Sequence, residues 1–498
     1  MNDSFDLLII GGGINGAGIA RDAAGRGHKV ALVEQGDLAS ATSSASTKLI
    51  HGGLRYLELF EFRLVREALI ERERLLAIAP HIIQPMQFVL PHVTGLRPRW
   101  QIRCGLFLYD HIGGRHRLPA SHGVSLAHGP WAGTLQPQLT HGFTYSDCWV
   151  DDSRLVILNA MDAAQRGTVI RTHTRFVGAS VQDGRWRARV EDTASGEQST
   201  LLARTIVNAA GPWVEDVLRH VPRSANETQI RLVKGSHIVV PRMYEGEHAF
   251  LLQHPDGRVV FTIPYQQEFT LVGTTDVPYE GNPADATISD DEVRYLCETV
   301  NEYFVRSISP SDVRWTYAGV RPLSDDESTN VSKVTRDYKL ELTAGPGQPA
   351  LLSVFGGKIT TYRRLAEAAL QKLHPFLGGS KQGWTDQAQL PGGDLPRGDF
   401  SAFLEGVQRR WPFLPAAVAL RLARSYGTRI SQIIGGAKTL EDLGTHFGAG
   451  LTRAEVDYLR AHEWARSGED VLWRRSKLGL HMTAEERSEF ARLMQAGA

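Results

Sequence analysis

The sequence predicts an α/β protein in three parts: a parallel-sheet domain assembled from separate stretches of chain, an antiparallel β-rich domain, and a helical region at the C-terminus. Three observations indicate this arrangement. A strand–glycine–helix–strand unit opens the chain at residues 5–34, alternating strand patterns fill residues 230–345, and a second strand–glycine–helix unit covers residues 350–373. Because the two glycine-containing units look like distant halves of one domain, we expect the β-rich stretch to be inserted between them.

The bulk composition is that of a globular protein with more than one domain. The 498 residues are 42% hydrophobic and 22% charged, and 55 basic residues balance 55 acidic ones, which argues against nucleic acid as a partner. Three distant cysteines, Cys104, Cys148 and Cys297, exclude a disulfide framework or a cysteine-based zinc site and suit a reducing compartment. No apolar stretch reaches the ~18 residues of a membrane span. No signal peptide fits the N-terminus, so we expect a cytoplasmic chain or one on the cytoplasmic face of a membrane.

The opening unit has the residue order of a dinucleotide-binding site. An apolar strand, Phe5–Ile10, leads into a G-x-G-x-x-G array, a helix of small apolar residues, and a second strand that ends before Glu34. The glycines permit a tight turn and a close approach of pyrophosphate, the helix N-terminus attracts its charge, and the acid can accept a ribose hydroxyl. The predicted cofactor contacts here are Gly11, Gly13, Ile14, Asn15, Gly16 and Glu34.

The stretch that follows contains one clear helix and a long region of weak pattern. A loop of small residues at 39–46 precedes a helix predicted at 61–79, which Pro80 ends. Residues 86–145 are rich in Pro, Gly, His and aromatic residues and show few clear elements. We therefore expect an irregular segment there.

The middle of the chain contains mainly strands, and the end contains mainly helices. Alternation of apolar and polar residues is typical of half-buried strands, and Gly, Pro and Asp mark their turns. The predicted elements are a helix capped by residues 151–153 and running to about Arg166, strands in 168–193 with a turn at Asp183–Gly184, the apolar strand of TIVNAAGPW (205–213), strands at Ile238–Val240, Arg258–Ile263 and Phe269–Gly273, a strand at Ala350–Phe355 followed by a helix from Lys358 to about Leu373, a linker at 382–399, and helices in 400–495 with caps at Thr452 and Thr483.

The separation of the two glycine-containing units favours FAD over NAD as the dinucleotide. An NAD enzyme usually completes its nucleotide fold in one continuous segment, whereas one type of flavoenzyme completes it with a distant segment that reaches the flavin. The sequence therefore predicts an FAD-binding Rossmann-like domain split in sequence (1–85, 146–225 and 335–385), a β-rich antiparallel substrate domain (86–145 and 226–334) and a C-terminal helical domain (390–498).

Seven motifs between residues 42 and 367 are more specific than the glycine array. They are TSSASTKLIHGGLRYLE (42–58), YSDCWVDDSRL (145–155), KGSHIVVPR (234–242), VGTTDVPY (272–279), WTYAGVRPLSDDES (315–328), TRDYKLEL (335–342) and LLSVFGGKITTYRRLAE (351–367). Together they resemble the aerobic, FAD-dependent glycerol-3-phosphate dehydrogenases of bacteria. The resemblance implies oxidation of sn-glycerol 3-phosphate to dihydroxyacetone phosphate, by hydride transfer from C2 to FAD, with electrons passed to a membrane quinone. It also implies a homodimer attached peripherally to the inner face of the cytoplasmic membrane.

Four cations in these motifs are candidates for binding the substrate phosphate. The resemblance assigns Arg55, Arg321, Arg336 and Lys358 to the substrate and the reactive end of the flavin, and guanidinium groups suit a phosphate dianion. Lys358 at a helix start is electrostatically unfavourable unless an anion faces it. Arg55 has the alternative of a surface position, and Arg336 the alternative of pairing with nearby acids.

The general base that removes the C2 hydroxyl proton is not assigned by the sequence. His51 and His237 are candidates by motif, although a lone histidine is more often structural. Tyr56 is a candidate for orienting the substrate or for packing on the flavin. The remaining cofactor contacts implied by the resemblance are Ser43, Ser44, Thr47, Gly211, Gly356, Gly357, Lys358, Ile359 and Thr360. No metal site is expected.

Residues 96–118 are a candidate for the segment that contacts the membrane, although the sequence does not decide which segment does so. Cations beside aromatic and aliphatic residues suit an anionic membrane surface. The alternative is an amphipathic segment packed on the β-rich domain. RRW (409–411) and LWRRSK (472–477) are weaker options, because we expect both to be solvated helix faces. The cations of the candidate segment are Arg97, Arg99, Arg103, Arg115 and Arg117.

Three other functions remain open at the level of sequence. An oxidase of the same family would pass electrons to dioxygen and form hydrogen peroxide. A flavoprotein acting as a regulator or as an RNA-modifying partner would use the fold for binding. A soluble NAD-linked enzyme would contain no flavin.

Overall fold

The structure is a computed structural model that describes residues 3–114, 117–222, 230–255, 257–324 and 337–496. Two residues with predicted roles, Arg115 and Arg336, lie outside the described residues. The strands are β1 (Asp3–Ile10), β2 (Val30–Val33), β3 (Leu49–Ile50), β4 (Ile83–Pro91), β5 (His122–Ser125), β6 (His141–Val150), β7 (Val169–Arg171), β8 (Thr174–Gln182), β9 (Arg185–Asp192), β10 (Gln198–Asn208), β11 (Ile230–Pro241), β12 (Ala249–Gln253), β13 (Val259–Tyr265), β14 (Phe269–Gly273), β15 (Val277–Pro278), β16 (Trp315–Ser324), β17 (Lys339–Gly345) and β18 (Gln348–Phe355). The α-helices are α1 (Ile14–Gly25), α2 (Phe62–Ile78), α3 (Arg99–Ile112), α4 (Asp152–Gln165), α5 (Val214–Arg219), α6 (Asp290–Tyr303), α7 (Tyr362–Leu377), α8 (Phe400–Arg410), α9 (Ala416–Tyr426), α10 (Ile430–Ile434), α11 (Arg453–Glu463) and α12 (Ala484–Gln495).

The first sheet brings distant parts of the chain together. Its parallel strands run in the order β18, β10, β1, β2 and β7, with β17 antiparallel at one edge. Leu7 of β1 lies opposite Val30 of β2 and Thr205 of β10, and Ile206 lies opposite Leu351 of β18. The prediction of an α/β domain split in sequence is confirmed.

Local sequence explains why these elements form. Residues 7–10 of β1 are fully or nearly fully buried and are all aliphatic, as expected for a parallel strand covered on both faces. α1 packs against both α4 and α7 on this sheet. α4 begins as predicted, because the Asp151 carboxylate accepts a hydrogen bond from the backbone N–H of Arg154.

The second sheet is antiparallel apart from one strand pair and forms the β-rich part of the molecule. β11 is a long strand near one edge of this sheet and pairs with β14, β15 and β16. β13 joins β14 to β12, and β4 then joins β12 to β6. The predicted β-rich antiparallel domain is therefore confirmed. β3 and β6 also pair in this sheet, although sequence assigned β3 and the end of β6 to the first domain; the residue limits of the domains stay predictions.

The expectation of an irregular segment at 86–145 is wrong. This stretch contains most of β4, all of α3 and β5, and the start of β6. β4 was obscured by Pro85 and Pro91, which are unusual in a strand. α3 was obscured because apolar residues lie on its exposed face as well as its buried face, which weakens the helical period.

The C-terminal region is helical, as predicted, and has its own apolar core. Leu422, Tyr426 and Leu459 are buried there. The prediction that residues 472–477 form a solvated helix face is wrong: a π-helical turn covers Asp470–Arg475, and Arg475 and Lys477 are buried. Arg475 pairs with the buried carboxylate of Asp37, and Lys477 donates to Ser153 Oγ and to the Trp473 carbonyl, contacts that no local pattern reveals. Within the described residues, no helix has the length and hydropathy needed to cross a membrane.

The helix ends in the structure agree with the predicted ones apart from two details. The helix predicted from Lys358 to about Leu373 begins with a short 3-10 turn at Ile359–Thr361 and continues as α7 to Leu377. Thr483 caps α12 with a reciprocal capping box. Thr452 occupies the N-cap of α11, but its side chain makes no capping hydrogen bond.

Candidate cofactor and substrate site

The carboxyl ends of four parallel strands form one side of a large cleft. β1, β2, β10 and β18 end at the same edge of the sheet, which is where open α/β sheets bind ligands. The cleft has a volume of about 740 Å³. Its lining includes ten of the predicted cofactor residues: Gly11, Gly13, Ile14, Asn15, Glu34, Ser43, Ser44, Gly211, Gly356 and Gly357.

The glycine turn after β1 requires glycine for steric reasons. Gly11 has a φ of +111°, and a Cβ there would lie 2.4 Å from the carbonyl oxygen of Ala209. A Cβ on Gly16 would lie 1.9 Å from the carbonyl oxygen of Gly11. Gly16 therefore does not line the cleft but allows α1 to pack against the turn. The first turn of α1 carries no acidic side chain, so its N-terminus keeps a positive potential toward the cleft.

Glu34 holds the turn as well as facing the cleft. Its carboxylate accepts hydrogen bonds from the backbone N–H of Gly12 at 2.7 Å and of Gly36 at 2.8 Å. Burial raises the pKa of Glu34, and the two backbone donors partly oppose that rise. A carboxylate has about four acceptor positions, so these two bonds leave capacity for a ribose hydroxyl.

The two halves of the split domain meet at the N-terminus of α1. The Asn15 side-chain amide donates a hydrogen bond to the Gly356 carbonyl at 3.2 Å. Gly357 has a φ of +99°, and a Cβ there would lie 3.3 Å from the same amide nitrogen. Gly356 and Gly357 therefore close the cleft, although they lie 341 and 342 positions after Asn15 in the sequence.

The loop between β2 and β3 supplies polar side chains along the cleft. Ser43 Oγ accepts a hydrogen bond from the Ile14 N–H at 2.9 Å, which satisfies one exposed donor of α1. Thr42 donates to the Val320 carbonyl at 2.6 Å and ties this loop to β16. Thr47 lies beyond the lining and contacts the His237 Nε2 atom at 3.0 Å.

These features fit a flavin dinucleotide. The glycine cradle leaves room that side chains would fill, and the helix N-terminus faces it. Asn15 Oδ1 is buried and lacks a hydrogen-bond partner among the described residues, although buried polar atoms are normally paired. A bound group that reaches this atom with a donor would complete the site.

Arg321 lies on β16 between Val320 and Pro322, which both line the cleft, although Arg321 itself is not among the lining residues. The guanidinium donates to Asp276, its Nη2 atom lies 3.4 Å from Thr274 Oγ1, and the side chain is 22% exposed. A Cβ on Gly235 would lie 2.4 Å from Nη2, so glycine at that position makes room for the guanidinium. The ion pair fixes Arg321 and leaves part of it accessible to a ligand.

His237 lies on β11 and is fully buried. Its ring stacks on Tyr317 with centroids 4.7 Å apart. Burial, with the nearby charges of Arg321 and Lys48, holds the pKa of His237 well below its ordinary value. The ring is therefore neutral, and it has no surface exposure.

A tight turn after β3 carries two more of the predicted residues, Arg55 and Tyr56, and His51 lies just before it. Gly53 has a φ of +77°, and the 3-10 turn Leu54–Leu57 follows with Arg55 and Tyr56 half-buried. Lys358 Nζ lies 3.6 Å from the centroid of the Tyr56 ring. Just before the turn, the His51 N–H donates to Thr360 Oγ1 at 3.2 Å. The structure thus brings His51, Tyr56, Lys358 and Thr360 together.

Some residues of the cleft were missed by sequence reasoning. Trp473 stacks on Trp315 with centroids 4.7 Å apart, Trp315 contacts Tyr317, and all three line the cleft. The C-terminal region also adds Glu469 and Arg474 to the lining. The positions of Glu469, Trp473 and Arg474 depend on how the C-terminal helices pack, and the local sequence carries no signal for that packing.

Comparisons with known proteins identify the family and agree with this fold. A family model described as FAD dependent oxidoreductase matches residues 6–363, and one described as the C-terminal domain of alpha-glycerophosphate oxidase matches residues 384–496. The chain belongs to the FAD-dependent oxidoreductase family, and its cofactor is FAD.

Particular relatives narrow the class further. The chain is 52% identical to glycerol-3-phosphate dehydrogenase of Pseudomonas aeruginosa, over 99% of this chain and 95% of the relative. It is 49% identical to aerobic glycerol-3-phosphate dehydrogenase of Escherichia coli, over 98% and 96%. It is also 50% identical to D-erythritol 1-phosphate dehydrogenase of Brucella abortus, over 98% and 97%. The crystal structure of glycerol-3-phosphate dehydrogenase from Bacillus halodurans with FAD superposes with a TM-score of 0.76 at 26% identity, covering 99% of this chain and 94% of that one.

Proposed function

We propose that this chain oxidises sn-glycerol 3-phosphate to dihydroxyacetone phosphate. Two relatives of about 50% identity bear the name glycerol-3-phosphate dehydrogenase. The observation that carries the proposal is a fixed, partly exposed guanidinium, that of Arg321, on the strand that lines the FAD cleft through the adjacent Val320 and Pro322. FAD, when bound, supplies the acceptor for the hydride that leaves C2.

The protein side of the reaction is binding and proton removal. We assign the substrate phosphate to Arg321, because a guanidinium suits a phosphate dianion and Asp276 fixes its orientation. Lys358 and Arg55 add positive charge at the turn side of the site. Arg336, which lies outside the described residues, is proposed to join them on the basis of its motif.

His51 is the better candidate for the general base. It is half-buried, so a substrate hydroxyl can reach it, and its backbone is fixed by Thr360. His237 is fully buried and its pKa is depressed, which makes it a weak base with no access. We therefore assign His237 to holding Thr47 and Tyr317.

D-Erythritol 1-phosphate is the second candidate substrate, because a relative named for its oxidation is as similar as those named for glycerol 3-phosphate. The test is anaerobic titration of the FAD-loaded protein with each compound, with glycerol and lactate as controls, while the visible flavin absorbance is followed. Bleaching at lower concentration by sn-glycerol 3-phosphate supports the proposal. Bleaching at lower concentration by D-erythritol 1-phosphate would replace it with the second candidate.

We further propose that a membrane quinone takes the electrons, at the inner face of the cytoplasmic membrane, in a homodimer. Support comes from a surface that we call the α3 patch, formed by Trp100, Phe107 and Leu108 of α3. Trp100 is 70% and Phe107 53% exposed. Arg99 and Arg103 are exposed on the same helix. Aromatic side chains next to cations favour an anionic bilayer surface.

Two measurements test the acceptor and the α3 patch. A quinone analogue should accelerate turnover, whereas vigorous peroxide formation under air without it would favour the oxidase alternative suggested by the oxidase-named C-terminal family model. Anionic vesicles should sediment the protein, and the double variant Trp100→Gln/Phe107→Gln should sediment less. Val305→Gln, which alters an exposed apolar side chain outside the α3 patch, is the matched control.

A further inference from the structure

A buried polar cluster lies behind the turn that carries Arg55 and Tyr56. We call it the Asp147 cluster, and its members are Asp147 on β6, Tyr109 on α3, Arg72 on α2 and the backbone N–H of Gly52. The Tyr109 hydroxyl donates to both oxygens of Asp147, at 2.7 and 2.9 Å. Arg72 donates to Asp147 Oδ1 at 2.8 Å. Asp147, Tyr109 and Arg72 are each at most 3% exposed.

The Asp147 cluster grips the turn by its backbone. The Gly52 N–H donates to the Tyr109 oxygen at 2.8 Å and lies 3.4 Å from Asp147 Oδ1. A Cβ on Gly52 would lie 2.7 Å from the Tyr109 oxygen, so glycine allows this close approach. The next residue, Gly53, adopts the left-handed conformation that directs the chain into Arg55 and Tyr56.

The Gly52–Gly53 turn also determines the position of Tyr56. A Cβ on Gly53 would lie 2.3 Å from Tyr56 Cδ2, so the ring packs directly over the turn. Lys358 Nζ also lies over this ring, 3.6 Å from its centroid. A shift of the Gly52 amide would therefore move the Tyr56 ring and the cation that rests on it.

The cluster is specific in its chemistry. Burial and the charge of Asp147 raise the pKa of Tyr109 well above its usual value, so the phenol stays a hydrogen-bond donor. Burying an acid and a guanidinium carries a large desolvation cost, and such pairs are often no more stabilising than apolar packing. The pair of Asp147 and Arg72 also lies against the Gly52 amide. We therefore attribute the pair to fixing that amide rather than to stability alone.

We propose that Tyr109 and Asp147 are positioning residues for the oxidation, which act by fixing the Gly52 amide and, through the Gly52–Gly53 turn, Arg55, Tyr56 and Lys358. The inference deepens the proposed function and rests on it. It also means that α3 has two roles on opposite faces: the α3 patch faces solvent, and Tyr109 reaches the substrate end of the site.

The test compares Tyr109→Phe with Tyr145→Phe. Tyr145 is a buried neighbour, with ring centroids 5.9 Å from Tyr109, and its hydroxyl is not part of the Asp147 cluster. For Tyr109→Phe we expect KM for the phosphorylated substrate to rise about fivefold, the effect of losing one ordinary hydrogen bond. FAD content should stay that of the unaltered protein. Tyr145→Phe should leave KM within about twofold.

A KM for FAD-loaded Tyr109→Phe that matches Tyr145→Phe would overturn the inference, whatever the two melting temperatures. Loss of FAD from Tyr109→Phe alone would also overturn it, because the effect should be confined to the substrate end. Asp147→Asn is a second variant that should raise KM in the same direction; if it fails to fold, Tyr109→Phe decides. Failure of the unaltered protein to oxidise sn-glycerol 3-phosphate would sink the proposed function instead. The same KM comparison then proceeds with D-erythritol 1-phosphate.

Discussion

The two ends of the cleft are built in different ways. The FAD end is built from backbone: the carboxyl ends of parallel strands, the glycine turn at Gly11–Gly16, and the N-terminus of α1. The proposed substrate end depends on side chains that hold one another, such as Arg321 with Asp276 and, behind the turn that carries Arg55, Tyr109 with Asp147. The FAD end requires that side chains be absent at its glycines. The proposed substrate end requires pairs of residues that are distant in the sequence.

This difference predicts which substitutions abolish cofactor binding and which leave the cofactor in place. At the FAD end, one added methyl group collides with backbone that cannot move aside. At the substrate end, removal of one partner leaves the sheet intact and changes only the position or charge of a neighbour. The four changes below test that division, in order of decreasing effect.

Gly16→Ala should abolish FAD binding. Its Cβ would lie 1.9 Å from the Gly11 carbonyl oxygen, so the turn and α1 would have to separate. The measurement is the ratio of flavin to protein after purification. Gly406→Ala in α8 is the matched control, because no atom lies within 4 Å of its added Cβ. A yellow, stoichiometrically loaded Gly16→Ala protein would contradict the account of the FAD end.

Arg321→Ala should keep FAD and raise KM for the phosphorylated substrate by about 10- to 100-fold, as expected for loss of charge-assisted hydrogen bonds. Steady-state kinetics on the FAD-loaded variant measure this. Arg314→Ala changes an exposed arginine just before β16 and should have little effect. An unchanged KM in Arg321→Ala would show that the phosphate binds elsewhere.

Lowering the pH from 7 to 5 should reduce the free energy of unfolding of the protein through His237. The folded protein keeps this buried ring neutral, since its pKa is held far below normal, whereas the unfolded chain takes up a proton below about pH 6.5. Stability from this group is thus present at neutral pH and is lost as the pH falls, by about 2 kcal/mol at pH 5. His237→Asn should show a smaller drop in melting temperature over this pH step than the control His128→Asn, which alters an exposed histidine. Equal drops would contradict the assignment.

Ser43→Ala should weaken FAD binding only about fivefold. The variant loses the hydrogen bond to the Ile14 N–H, which costs about 1 kcal/mol. Fluorescence titration of the apoprotein with FAD measures the change, and Ser180→Ala on exposed β8 is the control. A change as large as that of Gly16→Ala would show that Ser43 contacts the cofactor strongly in its own right.

The same division explains how much the sequence could predict. The glycine array, Glu34 and the Gly356–Gly357 turn are local patterns with a steric or electrostatic cause, and their meeting in one cleft agrees with the prediction of a split domain. Asp147, Tyr109 and Asp276 carry no local signal, because their partners lie 38 or more residues away and pair only after the sheets form. Residues 472–477 were mispredicted for that reason: Arg475 looks solvated until Asp37 is brought beside it.

The resemblance to glycerol-3-phosphate dehydrogenases predicted more than the patterns did. It named Arg321, Lys358, Tyr56 and His51, which local periodicity alone leaves as ordinary surface or core residues. Their catalytic and binding roles stay predictions. What the structure adds is a physical setting for each, such as the contact of Lys358 with Tyr56.

Anaerobic reduction of the bound flavin by sn-glycerol 3-phosphate tests the central claim most directly. We expect stoichiometric bleaching of the flavin absorbance by sn-glycerol 3-phosphate, none by glycerol or lactate, and dihydroxyacetone phosphate as the product. A flavin that stays oxidised at saturating sn-glycerol 3-phosphate would contradict the proposed function.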